Sequence, residues 1–583
     1  MNFGATRIEN RFPTPIETVR TPLMPERLPK PRLWPLLATM TAALFISLAA
    51  PSVGFAVTAR HVMVAAEHEL AAKAGLQILA RGGNAIDAAA AASLAVGVTN
   101  PSSCGIGGGG FMLIYIARTG ELYALDYRER APAAARPSIY FRNGHPVDEL
   151  TRVGPMAVAV PGEIAGLAAA LERFGTMKFS DIAAPAIALA HNGFACGSHL
   201  AEEIARSQKA LARDPELSKV FLHPDGTVRK AGETIVEADL ARTFARMEDR
   251  PVENFYRAGV AQELAADLKA RGGLITAADL AAYRPVWRKP LRHSYREYDV
   301  YTMPPPSSGG GMLLEMLAAM APGNIGGLGI NSPAYLARLI EILRQGFVDR
   351  AFYGDPDFVD VPIGFLLSPR HIDDLRERAF GHPTAPPAPV AHDHGTSHLC
   401  VVDAQGNVVS LTTTVNTAFG AKLMVPKLGV ILNNEMDDFG LAPEVANVYG
   451  LRGADANAIA PGKRPLSSMT PTIILKNDRP VLAIGGSGGP TIISATLQVA
   501  LAIMDFHLDP ERAVTMPRIH EQASPDTVVV EAAMPKATID ALTRMGYHVR
   551  IVPMLGAVEA IQIAPGALHG TSDPRKGGTA VGY

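Results

Sequence analysis

Cysteine and net charge are what this 583-residue chain has least of. Its three cysteines, Cys104, Cys196 and Cys400, are too few and too scattered for a disulfide framework or a cysteine-based metal site, so we expect small buried hydrophobic residues. The 54 basic and 56 acidic residues leave a formal charge of −2, and no basic stripe with interleaved aromatic residues is present. Nucleic acid is therefore not expected as a partner.

Long apolar runs are also rare, and the main one, Leu33–Ala50, lies near the amino terminus. Basic residues precede it and small residues follow, which is typical of an export signal cleaved near Ala56. An uncleaved membrane anchor at residues 33–50 is the alternative, because this length approaches the minimum for a spanning helix. Met24 directly precedes the signal and is a candidate translation start. In both cases we expect a leader over residues 1–56 and a periplasmic or secreted protein.

The order of the predicted helices and strands along the chain favours an α+β fold. Two helices are predicted between Glu69 and Val98 with a break at residues 82–84, followed by strands at Phe111–Ile116 and Leu122–Tyr127. The proline- and histidine-rich segment from Phe380 to Gly395 is typical of a linker or an exposed loop, and mainly strands follow it. This order fits sheets stacked between helices better than a doubly wound parallel sheet.

Two glycine-rich stretches need separate interpretations. Residues 105–110, GIGGGG, precede a strand, whereas a phosphate loop follows a strand and opens a helix, so close backbone approach or turns are expected there. Residues 483–501 do run from a strand into a helix. The amides of Gly488 and Gly489 are therefore placed to hold a developing negative charge, and no Walker lysine follows them.

Thr396 stands directly after the proline-rich segment, at the start of a predicted strand. If the chain stays intact, Thr396 is an ordinary strand residue. If the chain is cut after Gly395, Thr396 gains a free α-amine whose reference pKa of about 7.7 allows it to act as a base. A terminal threonine then carries both a nucleophile and its proton acceptor. The cleavage itself would proceed by attack of the Thr396 hydroxyl on the Gly395 carbonyl.

The hairpin that follows suggests partners for this threonine. If Asp403 pairs with Val408 across the AQGN turn, Thr396 lies opposite residue 415, with Thr414 and Asn416 on either side. Their side chains would then reach the Thr396 hydroxyl and amine. The alternative is that these residues only end a threonine-rich strand.

Seven motifs together resemble the γ-glutamyltransferase family, in order from about Val62 to Tyr583. They are NPSSCGIGGGGFMLIY, DYRERAP, GDPDFVDVP, TSHLCVVDAQGNVVSLTTTVNTAFG, ILNNEMDDFG, NVYGLRGADANAIAPGKRPLSSMTPTI and SDPRKGGTAVGY. The resemblance implies an N-terminal nucleophile hydrolase fold, a four-layer αββα sandwich. It also implies self-cleavage into a large subunit, residues 57–395, and a small subunit, residues 396–583.

The resemblance implies a role for each matching residue. Thr396 corresponds to the family's nucleophile and Thr414 to its support, and Gly488 and Gly489 correspond to the oxyanion amides. The other positions bind substrate in the family: Asn416, Glu435 and Asp438 at the α-amino group, Arg128, Ser467 and Ser468 at the α-carboxylate, and Tyr449 in the lid. Such a set suits a zwitterionic head, because arginine pairs with a carboxylate and carboxylates pair with an ammonium group.

The expected activity is that of a γ-glutamyltransferase and glutathione hydrolase. Thr396 would take the γ-glutamyl group from glutathione or a related compound and pass it to water, an amino acid or a peptide, and the two subunits would form a heterodimer. No cofactor or metal is needed. Alternatives are a same-fold acylase for glutaryl β-lactams, an enzyme acting on poly-γ-glutamate, or an unprocessed exported binding protein. The sequence departs from many members at Ser397 and in the histidines before the nucleophile, which leaves the rate of self-cleavage open.

Overall fold

Two antiparallel sheets face each other in the computed structural model of this protein, which describes residues 52–378, 395–443 and 445–583. The predicted leader at residues 1–56 and the anchor alternative at residues 33–50 lie almost wholly outside the described residues, as does most of the segment from Phe380 to Gly395. Within the described part, every helix is too short or too polar to cross a membrane.

The first sheet has eight strands, all paired antiparallel. In spatial order they are β1 (Ser52–Gly54), β24 (Thr579–Gly582), β3 (Met63–Ala66), β13 (Ser397–Val402), β14 (Val408–Thr414), β4 (Gly109–Ile116), β5 (Glu121–Tyr127) and β10 (Val286–Arg288). Residues 397–414 thus occupy the middle of the sheet, between strands from the first third of the chain.

The second sheet has seven antiparallel strands. They are β11 (Leu291–Tyr295), β12 (Tyr298–Thr302), β17 (Thr472–Lys476), β18 (Arg479–Ser487), β22 (Ala557–Ala564), β23 (Ala567–Thr571) and β2 (Ala56–Ala59). Short strands form small peripheral sheets: β6 (Phe141–Arg142) with β7 (His145–Pro146), β8 (Phe194–Ala195) with β9 (Thr234–Ile235), β15 (Met424–Val425) with β16 (Val430–Ile431), and β19 (Ile519–His520) with β20 (Val528–Glu531) and β21 (Val549–Val552).

Helices form the outer layers, and each layer has its own apolar core. The helices that contribute to the core on the first sheet are α1 (Glu69–Ala80), α2 (Ala85–Thr99), α4 (Glu163–Phe174), α5 (Phe179–Asn192), α6 (Ser198–Leu211), α7 (Pro215–Phe221), α8 (Ala238–Met247), α9 (Pro251–Tyr256), α10 (Gly259–Ala270) and α11 (Ala277–Ala282). Those on the second sheet are α12 (Ser308–Met320), α13 (Pro333–Asp349), α14 (Ile363–Leu366), α15 (Pro369–Arg378), α16 (Thr491–Met504), α17 (Pro510–Thr515) and α18 (Lys536–Arg544). The single turn α3 (Glu149–Arg152) lies apart.

Alternation along the strands explains the four layers. In β13, Leu399 and Val401 point into the core beneath the first helical layer, whereas Cys400 and Val402 point into the core between the sheets. β13 and β14 are buried on both faces, and their buried hydroxyl groups are hydrogen-bonded, as in Ser410 to the Ile484 carbonyl and Thr413 to Glu163. The predicted αββα sandwich is therefore confirmed. The three cysteines are free and buried, as predicted.

Local sequence signals determine where α1 ends and where α2 begins. α1 ends before Gly82, which adopts a left-handed φ of 89°, and α2 begins at Asn84, whose side chain and that of Asp87 form a reciprocal capping box. The predicted break at residues 82–84 is thus confirmed. α2 is buried along its whole length, which its small alanine side chains permit.

The first glycine cluster brings two backbones into contact. A Cβ atom at Gly108 would lie 1.9 Å from the Thr414 carbonyl oxygen, and one at Gly107 would lie 1.9 Å from the Ile431 carbonyl oxygen. Side chains at these positions would force apart the strand end that carries Thr414. The interpretation as close backbone approach is therefore confirmed.

Candidate active site

Thr396 is buried at the start of β13 and contacts the end of β14. Its Oγ1 lies 2.9 Å from Oγ1 of Thr414, which also accepts a hydrogen bond of 2.8 Å from the Asn416 amide. Because Thr414 Oγ1 already accepts from that amide, its own hydrogen is available to the Thr396 oxygen. Of the two residues predicted beside Thr396, Thr414 therefore contacts it directly, whereas the Asn416 side chain donates to the Asn434 carbonyl at 3.1 Å.

The register of this hairpin differs from the prediction by one residue. Val402, not Asp403, pairs with Val408, and Ser397 pairs with Thr413, so Thr396 faces Thr414 instead of residue 415. The Asp403 side chain accepts hydrogen bonds from the amides of Gln405 and Asn407 and closes the turn. Aspartate commonly caps such turns, so the last paired position moves one residue earlier.

The backbone at Thr396 is held in an unusual conformation. Its φ is +92°, a region that β-branched residues rarely adopt and that costs about 1–3 kcal/mol. The Thr396 N–H donates to the Ser103 carbonyl at 2.8 Å, and Lys576 Nζ donates to the Thr396 carbonyl at 2.8 Å. Lys576 is itself paired with buried Glu67 at 3.2 Å. The peptide bond after Gly395 thus lies in a strained and firmly held segment.

Gly395 fits where no other residue would. A Cβ atom there would lie 2.0 Å from the Asn416 carbonyl oxygen. A side chain at position 395 would therefore collide with the backbone of the pocket wall.

We expect Gly395→Ala to slow or block self-cleavage, because the added methyl group pushes the Gly395 carbonyl away from the Thr396 hydroxyl. Denaturing electrophoresis of the purified protein at successive times would measure the loss of the full-length band. Gly364→Ala is the matched control, because a Cβ atom at Gly364 meets nothing within 4 Å. Cleavage of Gly395→Ala at the wild-type rate would contradict this close contact.

Ten of the eleven predicted site residues line a single pocket. They are Arg128, Thr396, Thr414, Asn416, Glu435, Asp438, Tyr449, Ser467, Ser468 and Gly489. The eleventh, Gly488, immediately precedes Gly489. The motifs are up to 361 positions apart in sequence (Arg128 to Gly489), and the two facing sheets bring them together.

Arg128 is the centre of a buried ion cluster in this cavity. Its Nη1 lies 2.6 Å from Glu435 Oε2 and its Nη2 lies 2.5 Å from Asp438 Oδ2. The carbonyl of Pro465 accepts from Nε at 3.2 Å and fixes the plane of the guanidinium group. The groups predicted to hold opposite ends of a zwitterion therefore pair with one another in this structure.

Burial changes the acid–base behaviour of this cluster. Desolvation raises the pKa of Glu129 to about 8 and raises that of Glu435 well above its usual value, although the charge of Arg128 opposes both shifts. Burial lowers the pKa of Arg128, but the surrounding carboxylates, Glu435 first, together outweigh burial and raise it, so Arg128 stays cationic. The cluster thus keeps a permanent positive charge beside carboxylates that can take up a proton.

Tyr449 and the two glycines enclose the end of the pocket near Thr396. The Tyr449 hydroxyl donates to the Asn416 carbonyl at 3.0 Å, and its ring lies over Gly489, where a Cβ atom would be 2.6 Å away. Gly488 and Gly489 have φ values of +122° and +60° between β18 and α16. The predicted strand-to-helix turn is confirmed, and the Tyr449 loop closes over the cavity.

A family model described as γ-glutamyltranspeptidase matches residues 71–583, which is most of the chain. The chain belongs to the γ-glutamyltranspeptidase family.

Bacterial members of this family are similar to this chain over nearly their whole length. A glutathione hydrolase proenzyme of Pseudomonas aeruginosa is 40% identical over 550 residues, covering 91% of this chain and 96% of the relative. That of Escherichia coli is 37% identical over 529 residues, covering 89% and 91%. The structure of a cephalosporin acylase from Bacillus halodurans superposes with a TM-score of 0.81 at 30% identity, covering 92% of this chain and 98% of the other. The predicted family and enzyme class are confirmed.

One pocket residue of this γ-glutamyltranspeptidase was not predicted. Arg350, at the end of α13, is 8% exposed and lines the cavity beside Arg128 and Asp438. Its side chain makes no hydrogen bond or ion pair with the described residues, and its Nε is buried without a partner. Burial lowers the pKa of Arg350 to about 10, opposed by the attraction of Asp438. An unpaired buried guanidinium group in a pocket is a ready partner for a carboxylate.

The unpredicted contacts have a common origin. Ser103, Lys576 and Arg350 lie in or beside NPSSCG, SDPRKGG and GDPDF, motifs used to recognise the family. Ser103 contacts Thr396 from 293 positions away and Lys576 from 180, so spacing carries no information about these contacts. A basic residue in or beside a recognised motif is the sequence signal that could have marked Arg350 and Lys576.

We expect Arg350→Gln to raise KM for a γ-glutamyl substrate about tenfold with little change in stability, because no protein partner loses a bond. Steady-state kinetics and thermal unfolding would measure the two effects. Arg452→Gln, an exposed arginine in the same region, is the control. An unchanged KM would show that Arg350 does not reach the substrate.

Proposed function

We propose that this chain is a γ-glutamyltransferase and glutathione hydrolase that works from Thr396 after self-cleavage at the Gly395–Thr396 bond. The proposal rests on one observation, which is that the Thr396 hydroxyl and the ion cluster of Arg128 line the same pocket. The Thr396 hydroxyl lies 2.9 Å from that of Thr414. One end of this pocket supplies a nucleophile and the other suits the charged head of an amino acid.

The reaction uses both ends. Arg128 with Ser467 and Ser468 holds the substrate's α-carboxylate, and Glu435, Asp438 and Asn416 hold its α-ammonium group. The Thr396 oxygen attacks the γ-carbonyl, and its free amine accepts the proton. The amides of Gly488 and Gly489 hold the oxyanion, a contribution of about 3–4 kcal/mol per donor in other enzymes. A γ-glutamyl ester forms, and water, an amino acid or a peptide then releases it.

The two fragments remain together after cleavage in this proposal. Strands β13 and β14 of residues 396–583 lie between β3 and β4 of residues 57–395, with hydrogen-bonded registers on both sides. β12 pairs with β17 in the second sheet in the same way. Separating the fragments would break both sheets, so the processed protein is a stable heterodimer of large and small subunits.

The α-ammonium group of the substrate distinguishes this function from its alternatives. A glutaryl group lacks the ammonium group that Glu435 and Asp438 suit, and the closed Tyr449 loop leaves no open groove for a polymer of poly-γ-glutamate. Paired anilides of γ-glutamate and glutarate, assayed with the purified protein, test this directly. We expect turnover of the γ-glutamyl anilide alone. Preference for the glutaryl anilide would instead support an acylase, and an uncleaved protein without turnover would support a binding protein.

The proposed location is outside the cytoplasm, in the periplasm or the medium, on the strength of the leader at residues 1–56. Cell fractionation with a carboxyl-terminal tag would measure it. Mass spectrometry of the large subunit would show whether the leader ends near Ala56 or stays as an anchor. Finding the mature protein in the cytoplasm would contradict the proposal.

A further inference from the structure

Three ligand-type side chains meet in a buried cluster on the far side of the second sheet. Glu315 of α12, Asp349 at the end of α13 and His371 of α15 are 0%, 2% and 4% exposed. His371 Nε2 lies 3.0 Å from Glu315 Oε1 and 2.9 Å from Asp349 Oδ2. None of the three lines the pocket of Thr396, and the proposed reaction does not use them.

The hydrogen bonds inside this cluster leave some of its polar atoms without a partner among the described residues. One His371 nitrogen carries at most one hydrogen, yet two carboxylates lie within hydrogen-bond distance of it. Glu315 Oε2 is fully buried and has no hydrogen-bond partner among the described residues, and the same holds for the hydroxyl of neighbouring Tyr353. A buried oxygen without a partner costs about 1–3 kcal/mol, and a cation beside these two oxygens would offset that cost.

We propose that Glu315, Asp349 and His371 form a binding site for one divalent cation, with Zn²⁺ as the best fit. Imidazole nitrogen and carboxylate oxygen are ordinary zinc ligands at about 2.0–2.2 Å. Ligand atoms 2.9 and 3.0 Å apart can share an ion at that distance, and all three candidate atoms lie within 4.8 Å of one another. Asp349 and His371 also line an open cleft, which gives water access to a fourth position.

One neighbouring group orients a proposed ligand, and another competes with the ion. The Phe365 ring lies 4.6 Å from the His371 ring and holds its orientation. Arg378 Nη2 lies 3.7 Å from Asp349 Oδ2 and is the one nearby cation that competes for a carboxylate within the described residues. A side chain that is 43% exposed can turn away to solvent when an ion binds.

The ion would act as a clamp in this protein, not as part of the chemistry. It joins three helices, α12, α13 and α15, that otherwise meet through apolar contacts of the second core. Asp349 directly precedes Arg350, which lines the cavity of Thr396. Binding an ion at Asp349 would therefore fix the end of α13 that presents Arg350.

Metal content and affinity test the proposal. The purified full chain is dialysed against a chelator, reloaded with ZnCl₂, dialysed again and analysed by mass spectrometry for metals and by calorimetry. We expect one Zn²⁺ per chain at this site, an affinity about 10- to 100-fold lower in Glu315→Gln and in His371→Gln, and an unchanged affinity in Asp374→Asn. Asp374 is the matched control, because it is exposed on the same helix and lines the same cleft.

A second measurement locates the ion in the wild type. Three further histidines, His382, His392 and His394, precede Thr396 and can bind Zn²⁺ by themselves. Hydrogen exchange with and without Zn²⁺ separates the sites, because an ion in the cluster slows exchange in α12 and α15. Equal zinc affinity in the wild type and both cluster variants, or unchanged exchange in those helices, would overturn the proposal. The exchange result decides the question even if a variant fails to fold.

Discussion

Thr396→Ala is expected to leave the protein as one uncleaved chain with no measurable γ-glutamyl turnover. The methyl side chain has no oxygen to attack the Gly395 carbonyl, and without cleavage no free amine exists to act as a base. Loss of a catalytic nucleophile commonly costs several orders of magnitude in kcat, so a fall of at least about 10³-fold is expected. Denaturing electrophoresis and an anilide assay on the same preparation would measure both effects.

Thr396→Ser is the matched variant, because it keeps an oxygen at the same place and removes only a methyl group. It should still cleave and turn over substrate, at reduced rates. Thr414→Val gives an intermediate case, because it removes the hydroxyl 2.9 Å from Oγ1 of Thr396 but leaves the nucleophile. Turnover by an uncleaved Thr396→Ala chain would contradict the assignment of the nucleophile.

The hairpin that begins at Thr396 shows how much of the site local sequence can predict. The apolar residues on either side of AQGN were enough to predict a hairpin and to place Thr396 near Thr414. The observed register is one residue from the predicted one, because the Asp403 side chain caps the turn and shortens the ladder, as Val402 pairs with Val408. This difference is small for the site only because both neighbours of the predicted position 415, Thr414 and Asn416, line the same pocket.

The charged pocket could be assembled from sequence only through the family resemblance. Nothing in the spacing of Arg128, Glu435 and Asp438 indicates that they pair, since Arg128 ends a strand of the first sheet and the two carboxylates lie in a turn some 300 residues later. The resemblance gave each a substrate-binding role but did not indicate that they contact one another. Arg350 and the cluster of His371 were not predicted, because neither is defined by a local pattern.

Arg128→Met is expected to lower both activity and stability. The substitution leaves Glu129 and Glu435 buried without their cation, and breaking a buried ion pair from one side typically costs about 3–5 kcal/mol. The pKa values of both carboxyl groups are already raised by burial, so they take up protons when Arg128 is lost. The folded state then binds more protons than the unfolded state above about pH 4.5, and stability falls as the pH rises.

Denaturant unfolding of Arg128→Met at several pH values would measure this effect. We expect the free energy of unfolding to be lowest, relative to the wild type, near pH 8, and closest to it near pH 5. The kcat/KM for a γ-glutamyl anilide should fall at least about 100-fold at every pH, because the substrate carboxylate also loses its partner. Arg118→Met, in the exposed turn between β4 and β5, controls for loss of an arginine from the same hairpin. A loss of stability that does not depend on pH would mean that the carboxylates stay charged without Arg128, and the electrostatic account of the pocket would be wrong.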